Sequence, residues 1–396
     1  MSRLIGVIGM FVLIGIAYLI SEDRKKIDIR PVIGGLLLQL AFAFTILKLP
    51  IGKVAFQKLS DFIATILGFS TKGAEFLFGS LMSTGFSFAL SVIPTIIFFS
   101  SLMSVLYYLG AIQRVVEFMA KIMKKVMNLS GAESLSAAAN VFVGQTEAPL
   151  VVKRFVPNMT RSELMALMSG GMATVAGGVM AGYIGMGIDA GYLLAASIMS
   201  APAALMMAKI VVPETKESVT SGEMKVDIEV NNANVIDAAA EGASEGLKLA
   251  LNVAAMLLAF VSIIALINYP LSYLGTSLEQ ILGYIFAPLS LVMGVPMAEI
   301  TEVGSLLGQK MALNEFVAYT QLSEMIKEGV LSHKAQLIAT FALCGFSNFS
   351  SIAIQIGGLG SLAPERRGEL AQLGVRALVA GSLATYMTAT IAGILM

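Results

Sequence analysis

Glu147 and Glu315 each stand among apolar neighbours, in VFVGQTEAP (141–149) and ALNEFVAY (312–319). An ionised carboxylate in an apolar interior is costly unless donors or a cation satisfy it. Hairpin backbone amides would satisfy these two and make them structural. The hydroxyl and N–H groups of a bound molecule would satisfy them and make them functional. Gln145 and Thr146 add an amide and a hydroxyl beside the first glutamate, and Asn314 precedes the second. Asn348 and Ser351 lie about one helical turn apart, the spacing that puts two side chains on one face. This set carries abundant hydrogen-bonding capacity and no fixed cation, because Lys153 and Arg154 fall towards the end of their segment. A phosphorylated ligand calls for Arg or Lys clamps; a neutral, polyhydroxylated one suits these residues better. Phe316, Phe346 and Phe349 offer either a stacking face or core contacts. Asn140 and Thr174 form a second set. Oxygen donors beside Gly170, Gly171 and Gly177 suit a hard cation held at unwound backbone, although small polar residues also bind helices to one another.

The elements that position these residues belong to a membrane. The chain has 396 residues, of which 57% are hydrophobic and 13% charged, about half the charge of a soluble domain. Its mean hydropathy is +0.83. Lys plus Arg equals Asp plus Glu at 26 each, so net charge points to no nucleic acid. A single cysteine, Cys344, and a single histidine, His333, exclude an internal disulfide and multi-His or Cys-rich metal sites. An intramembrane hydrolase would need a nucleophile–base pair or two aspartates at depth; none is present, and the chain reads as no enzyme. A passive channel would be told from a carrier by the absence of counterflow.

Uncharged runs predict about eight membrane helices: Leu4–Ile20, Pro31–Leu47, Ser83–Gly110, Leu164–Gly185, Ala190–Ala208, Ala250–Ile267, Gln336–Ile356 and Ala377–Met396. The first is read as a span rather than a signal peptide, because no small-residue cleavage site follows it. Lys and Arg in the short loops, among them Arg24, Lys124 and Arg366, place both termini outside. Gln280–Pro296 is read as a segment on the outer face. Ile112–Met127, with Ile112, Val115, Val116, Met119, Ile122, Met123 and Val126 on one side, is predicted to be an amphipathic helix lying on the cytoplasmic surface. In the acidic loop after the fifth span, MKVDIEV (224–230) alternates like a short strand and NNANVIDAAAEG (231–242) resembles a capped helix start.

Ser130–Met159 and Ala298–Val330 are too polar at their centres and too short in their arms to cross. They are predicted to be two re-entrant hairpins of opposite orientation, the first broken by Pro149. Each precedes a helix interrupted by small or polar residues, SGGMATVAGG in 169–178 and GFSNFSS in 345–351. The hydropathy pattern thus repeats with inverted topology. Paired broken helices in inverted repeats mark secondary transporters, whose site lies where the repeats meet.

NVFVGQTEAPLVVKRFVPNMTRSEL, GGMATVAGGVMAGY, LNEFVAY and FALCGFSNFSSIAIQIGGLGSLAPERR stand in this order from 140 to 367. From about residue 85 onward the chain resembles the concentrative nucleoside transporter family. The resemblance implies a bacterial plasma-membrane homotrimer, in contact with lipid and with no nucleic-acid partner. It implies a symporter that imports nucleosides such as uridine or adenosine by an elevator movement, driven by Na+ or, in some members, by protons. It divides the chain into scaffold (1–129 and 211–297) and transport domain (130–210 and 298–396). Gln145, Thr146 and Glu147 match residues that contact the nucleobase; Glu315, Asn348 and Ser351 match those that hold the ribose; Val179 and Phe346 match pocket lining. Asn140, Val143, Thr174 and Val175 match the sodium site, the two valines through their carbonyls. Thr174 stands where many relatives have Ser, which retains the hydroxyl. Asn140 favours sodium over protons.

Overall fold

The computed structural model describes residues 2–84, 88–220 and 232–396. No strand occurs among them; the MKVDIEV stretch lies outside the described residues. In chain order the helices are α1 (Ser2–Leu19), α2 (Ile29–Leu47), α3 (Pro50–Phe78), α4 (Ile93–Tyr108), α5 (Ala111–Met127), α6 (Gly131–Ala139), α7 (Arg161–Ala173), α8 (Gly177–Gly185), α9 (Ala190–Val211), α10 (Val235–Ser272), α11 (Leu278–Val292), α12 (Ile300–Ala312), α13 (Glu315–Lys327), α14 (His333–Leu343), α15 (Phe349–Leu362) and α16 (Arg367–Leu395). A π-helical stretch, Phe88–Val92, leads into α4.

Among the described residues, six helical stretches are long and apolar enough to cross a membrane: Ile29–Leu47, Phe88–Tyr108, Arg161–Gly185, Ala190–Val211, Val235–Ser272 and Pro364–Leu395. They fall on six of the eight predicted spans. The other two are α1, which is short, and the pair α14–α15, whose halves are each short because the helix is broken between them.

Both expected interruptions are present. α7 stops at Ala173 and α8 starts at Gly177; α14 stops at Leu343 and α15 starts at Phe349. Both hairpins are also present, with one correction. The first does not break at Pro149. α6 already ends at Ala139, and the chain turns through Asn140–Glu147 into a 3-10 helix, Ala148–Val152, with the proline in its first turn. Proline is tolerated there because its missing N–H has no helical partner to lose. α3 was not foreseen: Lys53, Lys58, Asp61, Lys72 and Glu75 interrupt its hydropathy. Gln280–Pro296 is largely α11, packed along α12.

Among the described residues, side-chain caps start nine of the sixteen helices. Ser130 with Glu133 and Thr160 with Glu163 form capping boxes that start α6 and α7. Asn234 accepts from the backbone of Ile236 and Asp237 and starts α10, as the sequence suggested. α9 and α16 are buried nearly all round and form the centre of the bundle, with α7 packed on both. α1 packs on α16, and α2 on α9. α5 buries Ile112, Val116 and Met123 against α2 and α6 and leaves Val115 and Val126 exposed, so its apolar stripe divides between protein and surroundings.

α4 and α10 form a separate pair. A Cβ at Gly242 would sit 2.5 Å from the Cβ of Ser104, and one at Gly246 would sit 2.8 Å from that of Ser100. Small residues four apart let two helix backbones approach without a strong hydrophobic drive. The far side of α10 exposes Leu258, Val261 and Leu266.

Candidate functional site

The hairpin tips and helix breaks meet in the middle of the bundle. Gly177 N–H, at the start of α8, donates to Phe142 O in the first tip at 2.9 Å. Phe346 N–H, in the second break, donates to Thr174 O in the first at 3.3 Å. The Ser347 hydroxyl donates to Met172 O, in the last turn of α7, at 2.7 Å. The carbonyls of Met172 and Thr174, freed where α7 unwinds, are thus satisfied by the opposite repeat, as buried backbone requires.

Two polar clusters flank this junction. In one, the buried Glu315 accepts from Asn348 Nδ2 at 2.9 Å and from the Tyr183 hydroxyl at 3.3 Å. Asn348 is the N-cap of α15 rather than a residue within a helix. Its Oδ1 accepts from the Ser351 backbone N–H at 2.9 Å, which leaves its amide donor for the glutamate. In the other, Gln145 Nε2 donates to Ser351 Oγ at 3.1 Å, and Gln355 Nε2 donates to Gln145 Oε1 at 3.0 Å and to Met168 O at 3.0 Å. Ser351 therefore joins the clusters, one built mainly from each repeat. Thr146 and Glu147 are exposed and bonded to each other at 2.8 Å, so the first tip presents an open polar edge beside a buried one. Val179 is buried on α8 and Phe346 half-buried in the second break.

The second set of residues lies beneath the first tip. Asn140 caps α6 at its C-terminal end and is 1% exposed. Its Nδ2 donates to Ser136 O at 3.1 Å. A carbonyl accepts only a donor, so this contact fixes the amide orientation and leaves Oδ1 buried without a partner. A buried unpaired acceptor is costly, and a small cation would satisfy it. Thr174, also buried, ends α7, and its hydroxyl donates to Gly170 O at 2.9 Å. A Cβ at Gly170 would lie 3.4 Å from Asn140 Nδ2, so Asn140 rests against α7 one turn before its end. Val143 lies in the same tip, and the buried Val175 follows Thr174. Among the described residues no cluster of His, Cys, Asp and Glu offers another metal site.

Three buried residues near the site escaped sequence reading. Gln355 lies one helical turn beyond Ser351, so the i, i+4 rule applied from Ser351 would have found it. Tyr183 is buried, its ring 4.2 Å from that of Tyr319 and 4.9 Å from that of Phe316. Lys310 corrects the expectation of no fixed cation: it is 1% exposed in α12, five residues before Glu315. Phe316 belongs to the aromatic core with Tyr183, and Phe349 is exposed. Of the three candidate stacking rings, only Phe346 stands at the junction of the repeats.

Inverted repeats of hairpin and broken helix, with polar tips meeting inside an apolar bundle, define a membrane transporter. Three family profiles cover most of the chain: Na+ dependent nucleoside transporter N-terminus over residues 8–81, nucleoside recognition (gate) over 89–190, and Na+ dependent nucleoside transporter C-terminus over 192–393. An uncharacterized transporter of Haemophilus influenzae is 49% identical, with 100% of this chain and 98% of that one covered. Nucleoside permease NupC of Helicobacter pylori is 42% identical, over 99% and 98%. The solved structure of CNTnw in an inward-facing substrate-bound state is 47% identical, with a TM-score of 0.96 over 100% of this chain and 99% of that one. A doubly substituted CNTnw in an outward-facing state gives 0.94 at 46% identity, over 100% and 98%. The chain belongs to the concentrative nucleoside transporter family: it is a multi-pass membrane transporter of nucleosides, not an enzyme.

Proposed function

We propose that this protein is a sodium-driven nucleoside symporter of a bacterial plasma membrane, working as a homotrimer. One observation carries the reading: donors and acceptors from both repeats converge on Ser351 and Glu315 beside the buried, unpaired Oδ1 of Asn140. In this reading Gln145, Thr146 and Glu147 read the nucleobase, Glu315, Asn348 and Ser351 hold the ribose hydroxyls, and Val179 and Phe346 line the pocket. Asn140, the carbonyls of Val143 and Val175, and Thr174 hold Na+, the co-transported ion. The sodium/nucleoside cotransporter 1 of Mus musculus, 40% identical, supports sodium as the driving ion; this chain covers 64% of its length.

Coupling follows from shared backbone. Two of the ion ligands, Asn140 and Val143, and the nucleobase residues occupy one short tip, which is bonded to α8 through Phe142 and Gly177. An ion that orders the tip raises nucleoside affinity, and linkage makes the nucleoside raise ion affinity by the same factor. The moving body is built from 130–210 and 298–396. The segments 1–129 and 211–297 supply the scaffold, centred on the α4–α10 pair, along which α8 slides in an elevator movement. α1, α2 and α5 set the rest of the scaffold against α16, α9 and α6.

Uptake of uridine and adenosine into proteoliposomes, under an imposed sodium or proton gradient, tests the proposal. Uptake driven by sodium alone is expected. Accumulation driven by protons with sodium absent would refute the sodium assignment, and uptake indifferent to both gradients would refute symport.

A further inference from the structure

Lys310 is a buried charge that the transport site described above does not use. Its Nζ donates to Ala342 O at 2.8 Å and to Thr385 Oγ1 at 3.4 Å, and lies 6.0 Å from the centre of the Tyr386 ring. These partners are a carbonyl in the last turn of α14, a hydroxyl on α16 and an aromatic face. They are oxygen and π ligands around a cation at the negative end of a half-helix.

The register of the two repeats gives this position a meaning. Asn140 stands 34 residues before Thr174, and Lys310 stands 34 before Cys344, the residue that ends α14 as Thr174 ends α7. Asn140 stands five before Gln145, and Lys310 five before Glu315. Asn140 and Lys310 therefore match in their spacing to the helix break and to the tip, with α6 ending one residue before Asn140 and α12 two residues after Lys310. Each sits near the C-terminal end of the first hairpin arm, and each reaches the first half of its broken helix, Asn140 at Gly170 and Lys310 at Ala342. One offers a buried oxygen with no partner; the other carries an ammonium on its own side chain.

We infer that Lys310 is a tethered cation, occupying in the second repeat the place that the co-transported ion takes in the first. The inference rests on the sodium reading of Asn140 given above. Its consequence concerns Glu315. Within 303–323 Lys310 and Glu315 are the only charged side chains, and both are buried. The second repeat thus holds a fixed cation with a fixed carboxylate. The first holds an exchangeable cation with a neutral amide, Gln145, at the carboxylate's counterpart. Lys310 is a positioning residue: it anchors the end of α14 and balances the carboxylate that binds the ribose, so the second repeat stays organised without drawing on a further ion.

The test uses the purified full-length protein in nanodiscs, with uridine titrated calorimetrically at saturating sodium and sodium titrated against thermal melting. Lys310→Gln is expected to weaken uridine binding at least tenfold while the sodium midpoint stays within twofold of wild type. Asn140→Ala is the control: it is expected to shift the sodium midpoint at least tenfold. An unchanged midpoint there would sink the ion assignment, whereas the uridine result for Lys310→Gln stands separately. Should Lys310→Gln fail to assemble, Lys310→Gln/Glu315→Gln, with both buried charges removed, is expected to regain assembly and a melting transition. Uridine binding within twofold of wild type in an assembled Lys310→Gln overturns the inference. So does a doubly substituted protein that assembles no better than the single one, or a loss of uridine and sodium binding in equal measure.

Discussion

Replacing Glu315 by Gln separates the carboxylate's work on substrate from its work on the fold. Each of its oxygens has a donor: Oε2 receives Asn348 Nδ2 and Oε1 receives the Tyr183 hydroxyl. Glutamine keeps one acceptor. That acceptor can serve Asn348, because Tyr183 can turn its hydroxyl from donor to acceptor and take the new N–H. The fold therefore keeps all its bonds. Binding loses the charge-assisted part of each bond to a ribose hydroxyl, about 1 kcal/mol apiece, since hydrogen bonds to charged groups contribute ~1.5–3 kcal/mol against ~1 for neutral pairs. Two hydroxyls give about 2 kcal/mol, or roughly 30-fold in Kd. Glu315→Ala behaves differently. It strands the donors of Asn348 and Tyr183 in a buried site, at about 1–3 kcal/mol each, and is expected to lower the melting temperature as well. Calorimetric titration of uridine at saturating sodium, with melting of the same samples, reads both quantities. A Gln variant that binds uridine within twofold of wild type would remove Glu315 from the ribose site. One that melts as low as the Ala variant would show that its role is structural.

Asn140→Ala removes the unpaired Oδ1 and is expected to shift the sodium dependence of uptake without changing the preference between uridine and adenosine; an unmoved sodium curve refutes the assignment. Gly171→Ala would place a Cβ 2.7 Å from Gln355 Nε2 and 2.9 Å from Gln145 Cβ. It is expected to displace that amide pair and weaken nucleoside binding by about tenfold, equivalent to ~1.4 kcal/mol, with the sodium midpoint unchanged. Glu22, in the loop after α1, accepts from Arg161 at 2.8 Å and lies 3.1 Å from Arg376. The Arg161 hydrogen bond, more than its charge, holds the carboxyl below its usual pKa against the opposing effect of burial. A depressed folded-state pKa contributes stability above the unfolded value, near 4.5, and that stability is lost as pH falls through the folded value. Glu22→Gln is therefore expected to melt about 2 °C lower at pH 7, a small effect because the pair is partly solvated. The difference from wild type should shrink steadily as pH falls below 4.5, and a difference that stays constant over that fall would refute the electrostatic account.

What sequence could reveal about this molecule divides along physical lines. Both helix breaks were legible because glycine and small polar residues interrupt otherwise apolar runs, and a membrane leaves few reasons for such interruptions. The hairpins were legible through charge at their ends and polarity at their centres, which also exposed Glu147 and Glu315. The point where a hairpin turns was not, because Pro149 is a conspicuous local signal whereas α6 ends at Asn140, whose amide bonds back to Ser136 O with no breaker residue to mark the stop. α3 escaped because its five charged residues lower its hydropathy while its length and helical propensity survive. Gln355 and Lys310 escaped for opposite reasons. Gln355 lies on a helix already assigned as a span, where one amide raises no alarm, and only the approach of Gln145 from the other repeat gives it a role. Lys310 follows the mixed stretch ITEVGSLLGQ, with Gln309 beside it, and looks like a solvated hairpin charge; only folding turns it inward onto Ala342 and Thr385. Once both hairpins are counted back from their helix breaks, the same lysine falls opposite Asn140. An internal repeat therefore carries more chemical information than either half alone, because it sets an unexplained residue beside one whose role can be argued.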